Sequence, residues 1–157
     1  MKTTLITGGL GFIGSNICDA LLQKKYADKC ILLDNFGGYM NPIKDSFIDF
    51  RKQRFPSLKN IIIERCDTSN YKALSSILNK YKPNYIYHTA ALPLAKVSNL
   101  NNEEAKISSV DSTVNIIDAI NLLKNSNQKY QFDRFIYFSS SMVYGDFKKP
   151  TVTEESE

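Results

Sequence analysis

The chain has 157 residues, of which 43% are apolar and 23% charged, and its formal net charge is +4. That is enough chain for one domain with a buried core, and the balance excludes a disordered segment or a fibrous repeat. Lys and Arg are scattered in runs no longer than two, which gives no support for nucleic-acid binding, although a mildly basic chain suits a phosphate-bearing ligand.

In chain order, strands and helices alternate. TTLIT (3–7) reads as a short strand that stops at Gly8, and from Phe12 to about Tyr26 apolar residues recur at helical spacing through Ile13, Ile17, Cys18, Leu21 and Leu22. CILLD (30–34) is an unbroken apolar run ending in an acid, the pattern of a strand covered on both faces. A Gly- and Pro-containing loop, FGGYMNP (36–42), then leads to a predicted helix over 43–55, closed by Pro56. NIIIERCD (60–67) is the third strand. The next helix has Ser69 as its predicted cap, an apolar stripe at Tyr71, Leu74, Leu78 and Tyr81, and Pro83 as its end.

YIYHTAA (85–91) is the fourth strand, and DRFIYFSS (133–140) the fifth. Between them a long helix is expected over about 103–123 with two stripes: Ile107, Val110, Val114 and Ile117, then Ile116, Ile120 and Leu123. Two stripes call for two burial partners, the sheet and a second subunit, and the second stripe is the one expected to be left exposed. The whole order predicts an α/β fold with a parallel sheet and right-handed crossovers.

Three widely spaced cysteines (Cys18, Cys30, Cys66) read as reduced, buried thiols. With one histidine, His88, and no close Cys pair, no metal site is expected. His88 lies within an apolar strand, where a buried hydrogen bond is its expected job. The opening MKTTLITGG has no secretory apolar segment and no stretch is long enough for a membrane span, so the cytoplasm is the expected compartment.

The chemistry concentrates in TGGLGFIG. Gly8, Gly11 and Gly14 form G-x-x-G-x-x-G between the first strand and the first helix. Gly8 permits a tight turn, Gly11 lets backbone approach a pyrophosphate, and Gly14 lets the helix lie close; the helix N-terminus then faces the phosphates. Asp34 ends the second strand twenty residues after Gly14, where a carboxylate can bind the adenosine ribose hydroxyls. Asp34 would repel a 2′-phosphate and Asn35-Phe36 supplies no arginine, which favours NAD over NADP.

TGGLGFIG, LLDN, CDTSN, YHTAA and FIYFSSSMVYG together resemble the extended short-chain dehydrogenase/reductase superfamily, in its nucleotide-sugar epimerase/dehydratase branch. The resemblance implies a Rossmann-type doubly wound sheet over residues 1–157, with NAD as cofactor. It places Phe12 and Ile13 against the pyrophosphate through backbone, Asp34 and Asn35 on the adenosine ribose, and Asp67 and Thr68 near the adenine. Asp67 has an alternative role as a helix cap. Ala90 and Ala91 would line the cofactor channel. Ser140, flanked by Ser139 and Ser141, would stand above the nicotinamide as the catalytic serine. Cys66 replaces a common glycine, Ser109 a common asparagine, and Ser112-Thr113 a common Gly-Thr.

Tyr144 and Lys148 have the spacing of a catalytic Tyr-x-x-x-Lys pair, yet Gly145, Asp146 and Pro150 break a helix there. Tyr144 also belongs to a VYG element that precedes the catalytic helix in the proteins resembled. The pair is therefore expected to be a coincidence of a loop. The chain then corresponds to the N-terminal half of such an enzyme, expected to lack the Tyr-Lys helix and the substrate lobe and to pair with a second copy through its long helix. Three functional readings stay open: an NAD-dependent epimerase or dehydratase of a nucleotide sugar, a non-catalytic dinucleotide-binding module, and a related reductase or hydroxysteroid-type dehydrogenase.

Overall fold

A computed structural model describes residues 2–37, 55, 59–92, 102–146 and 150–155. Its elements are β1 (Thr3–Thr7), α1 (Phe12–Gln23), β2 (Lys29–Asp34), β3 (Ile61–Arg65), α2 (Tyr71–Tyr81), β4 (Tyr85–His88), α3 (Asn102–Lys106), a π-helical turn (Ile107–Asp111), α4 (Ser112–Ser126), β5 (Arg134–Tyr137) and a 3₁₀ turn (Ser141–Tyr144). The five strands form one sheet in the order β3-β2-β1-β4-β5, and every neighbouring pair is parallel. The chain winds outward from β1 to β3 and then crosses back to β4. This is the doubly wound Rossmann arrangement, with its switch point between β1 and β4. The expected helix over 43–55 and the loop before it lie outside the described residues, apart from buried Phe55 and from Phe36 and Gly37.

Alternation along the strands sorts the core into two layers. Leu5, Ile31, Leu33 and Ile86 face α2 and α4, packing with Leu74, Leu78, Ile116, Ala119, Ile120 and Leu123. Ile6, Cys30 and Leu32 face the other way, against Leu10, Cys18, Leu21 and Phe55. Because both faces are covered, CILLD has no polar position until Asp34. Each fully buried leucine, such as Leu74 or Leu78, contributes about 2 kcal/mol through removal of its surface from water.

Several expectations change in detail. The cap of α2 is Asn70, not Ser69: the Asn70 carboxamide accepts from the Ala73 amide at 3.1 Å, while Ser69 bonds back to Asp67. Tyr71 on the predicted stripe is exposed. The long helix spans its predicted range but is interrupted by the π turn, in which the Ser112 amide reaches back to the Ile107 carbonyl. Its two stripes also exchange roles. Ile116, Ile120 and Leu123 are buried on the sheet, whereas Ile107, Val110, Val114 and Ile117 face outward at 38%, 55%, 47% and 42% exposure. Spacing alone gives two stripes on one helix. Only the crossing of α4 over β4 and α2 decides which is buried.

Candidate functional site

The carboxyl ends of the strands converge on the glycine loop. Gly8 has φ +62°, a conformation that L side chains rarely adopt, so the turn out of β1 requires glycine. A Cβ at Gly8 would also lie 3.0 Å from the Ala90 amide nitrogen, so the loop lies directly against the end of β4. At Gly14 a Cβ would meet the Gly8 carbonyl oxygen at 2.4 Å, which is why α1 can start this close to the loop. Gly11 differs. A Cβ there would meet only the Gly8 carbonyl oxygen, at 3.0 Å, so the rest of the space beside it is open. Gly11 is the N-cap of α1 and offers no side-chain oxygen to the first turn, which also contains no acid. The positive end of the helix is therefore not neutralised by its own residues, as an anion site requires.

Gly9 was not singled out by the repeat, yet it is as constrained as the others. It is buried, and a Cβ would lie 2.7 Å from the Leu32 Cβ and 2.9 Å from the Ile6 carbonyl oxygen. The doubled glycine of TGG was the only signal for it.

Asp34 is buried and serves the loop directly. One carboxylate oxygen accepts from the Leu10 amide at 3.0 Å and the other from the Phe36 amide at 2.9 Å. The acid at the end of β2 thus fixes both the glycine loop and its own turn. Asn35 donates to Asp67 at 2.9 Å and accepts from the Gly37 amide at 2.7 Å. Burial pushes the Asp67 carboxyl up, but hydrogen bonds from Asn35 and from the Ser69 hydroxyl and amide outweigh it and hold the group below its ordinary range. Asp67 therefore builds a turn ahead of α2 and does not cap it. Thr68 is buried and points its hydroxyl to Ser112 at 2.7 Å, while Asn115 donates to the Thr68 and Ser69 carbonyls. Ser112 and Asn115 lock α4 onto the loop after β3.

A polar thread runs beneath the switch point. The Ala90 amide donates to the Thr7 hydroxyl at 3.2 Å, and that hydroxyl lies 2.6 Å from His88 Nδ1. His88 Nε2 is 3.1 Å from the Thr113 hydroxyl, which donates to the Ser109 carbonyl at 2.8 Å. Each threonine has one proton to give. Thr7 accepts from Ala90 and donates to Nδ1; Thr113 donates to Ser109 and accepts from Nε2. This pattern puts the ring proton on Nε2, in the neutral tautomer whose Nδ1 accepts from Thr7. Burial lowers the His88 pKa to about 4, consistent with that state. His88 also lies against the rings of Phe135 and Tyr137. Its job is the buried hydrogen bond expected of it. The substituted Ser112-Thr113 pair supplies the hydroxyls that this packing uses.

Ala90 is half-buried beside Gly8, and Ala91 is exposed. Ser139 and Ser140 are exposed just past β5, whose continuation is tied to β4 by the Phe138 amide donating to the His88 carbonyl. The Val143 amide donates to the Ser140 carbonyl, closing the 3₁₀ turn that ends at Tyr144. Gly145 follows with φ +60°, so the turn that ends at Tyr144 does not run on as an α-helix; Lys148 lies outside the described residues.

The cysteines are free and buried. Contact with Cys30 and burial both push the Cys18 thiol up, and burial, with Asp67 and Glu64 adding, raises Cys66 to about 11. Among the described residues no group of three potential metal ligands occurs, and no helix is long and apolar enough to cross a membrane.

A family model described as GDP-mannose 4,6 dehydratase matches residues 5–157. The UDP-glucose 4-epimerase of Caenorhabditis elegans is 30% identical over 155 residues, which cover 98% of this chain and 42% of that protein. The dTDP-D-glucose 4,6-dehydratase of Dictyostelium discoideum is 30% identical over 145 residues, 92% of this chain and 30% of that one. The crystal structure of UDP-glucose 4-epimerase from Bifidobacterium longum in complex with NAD+ and UDP superposes with a TM-score of 0.79 at 22% identity, over 99% of this chain and 42% of that chain. The chain thus spans less than half the length of these relatives.

Proposed function

The chain belongs to the GDP-mannose 4,6 dehydratase family, and from that premise we propose that it is the NAD-binding part of an epimerase or dehydratase acting on a nucleotide sugar. The observation that carries the proposal is the open cradle at Gly11, set at the uncapped start of α1 with Asp34 anchoring its flank. In this reading the pyrophosphate lies on the backbone of Gly11, Phe12 and Ile13, and Asp34 and Asn35 take the adenosine ribose. Asp67 and Thr68 border the adenine through their loop backbone. Ala90, held through its amide by the Thr7 hydroxyl, and Ala91 wall the channel, and Ser139 lies on the nicotinamide side. NAD, when bound, supplies a reversible hydride acceptor for C4 of the sugar. Ser140 donates a hydrogen bond to the reacting oxygen. Tyr144 takes no part as base, because it closes a short 3₁₀ turn that stops at Gly145 and does not stand on a catalytic helix.

The outward stripe of Ile107, Val110, Val114 and Ile117 supports a second element of the proposal, pairing with another copy through this helix. Free, buried thiols suit the cytoplasm.

Calorimetric titration with NAD tests the reading. Saturable binding by the wild type and its loss in Gly11→Val are expected, since a branched side chain would fill the cradle. In turnover of a UDP-sugar or dTDP-sugar by the full-length protein, Ser140→Ala should be impaired far more than Tyr144→Phe. Absence of NAD binding by the folded wild type would sink the proposal.

A further inference from the structure

An arginine missing from the stretch after Asp34 is delivered from the neighbouring strand. Arg65 ends β3 and is exposed, and its guanidinium carbon lies 5.5 Å from the centroid of the Phe36 ring. The parallel register pairs Asp34 with Arg65. Residues paired across parallel strands project from the same face of the sheet, here the face that carries Leu32 and Ile63. Asp34 and Arg65 are thus cross-strand neighbours at the carboxyl edge of β2 and β3, the carboxylate turned to the Leu10 and Phe36 amides and the guanidinium to the Phe36 ring.

Phe36 fixes where the guanidinium rests. Its φ is +59°, an uncommon conformation for a bulky aromatic residue. The bond from its amide to Asp34 and the packing of its ring on the Leu32 layer hold it there. Asp34 therefore sets the ring, and the ring seats Arg65. Among the described residues no carboxylate lies within ion-pair distance of Arg65.

We propose that Arg65 determines cofactor discrimination by forming a subsite for a phosphate on the 2′ position of the adenosine ribose, so that NADP retains measurable affinity beside Asp34. The inference rests on the reading that Asp34 holds that ribose. A 2′-phosphate brings a charge of about −2 next to the carboxylate, which repels it. A guanidinium stacked on an aromatic ring can present its fork to two phosphate oxygens without leaving the stack, which a lysine ammonium cannot do. With NAD, Arg65 has no phosphate to meet at this position.

NAD and NADP are titrated into the wild type, Arg65→Gln and Arg65→Lys by calorimetry at one ionic strength. Arg65→Gln should weaken NADP by about tenfold or more while NAD changes by less than about twofold, and Arg65→Lys should fall between. Equal losses for both cofactors, NADP affinity unchanged by Arg65→Gln, or no measurable NADP binding by the wild type would each overturn the inference. A wild type that fails to bind NAD breaks the proposed function instead.

Discussion

Gly14→Ala should destabilise this protein even though alanine is the better helix former. In α1 the exchange gains about 1 kcal/mol of helix propensity. Against that, the new Cβ would lie 2.4 Å from the Gly8 carbonyl oxygen, 2.9 Å from the Gly9 Cα and 3.0 Å from the Gly8 carbonyl carbon. All three are backbone atoms, so no side-chain rotation relieves the contact. Either the loop opens, which loses the Gly8 turn against Ala90, or α1 lifts and uncovers Cys18 and Leu21. Overpacking of this kind costs roughly 1–3 kcal/mol, and contact with backbone puts it at the upper end. The net loss should be about 2 kcal/mol. Gly11→Ala is the control. Its φ of −69° suits any residue, and its one close contact is at 3.0 Å, so stability should change by less than about 1 kcal/mol. With no tryptophan in the chain, urea unfolding is followed by far-ultraviolet circular dichroism. A Gly14→Ala variant as stable as the wild type, or a Gly11→Ala variant less stable than Gly14→Ala, would refute the reasoning.

Asp34→Ala should lower stability by about 2–4 kcal/mol as well as weaken NAD by about 1–3 kcal/mol, because the Leu10 and Phe36 amides lose their acceptors; an unfolding midpoint equal to the wild type would show that the loop does not depend on it. His88 is neutral when folded, with a pKa lowered from 6.5 to about 4, so the unfolded chain binds the extra proton first. Stability from this group is complete above about pH 6.5 and falls by at most about 3 kcal/mol as pH drops to about 4, a slope that His88→Gln should remove in urea melts. Val114→Asp together with Ile117→Asp should reduce self-association in light scattering, and a wild type that stays monomeric at high concentration would contradict an outward stripe used for pairing.

Much of the fold was legible in the chain. Strand and helix periods alternate without conflict, and CILLD had to be covered on both faces because it offers no polar side. Gly8, Gly11, Gly14 and Asp34 were readable for a similar reason: a turn, a close approach and a carboxylate at fixed spacing are local demands, written within a few residues of one another. Other features were not local. Both stripes of the long helix have the same period, and only its packing over the sheet buried Ile116, Ile120 and Leu123 and left Val110 and Val114 outside. Ser69 and Asn70 are both good caps; the turn built by Asp67 engaged the first and left the second for the helix. His88, Thr7 and Thr113 are far apart in sequence, and the hydroxyls that fix the imidazole's proton meet it only where β1, β4 and the helix cross. Arg65 shows this most directly. Residues 35–43 contain no cation, but parallel register, which pairs strands rather than sequence neighbours, makes Arg65 the cross-strand neighbour of Asp34.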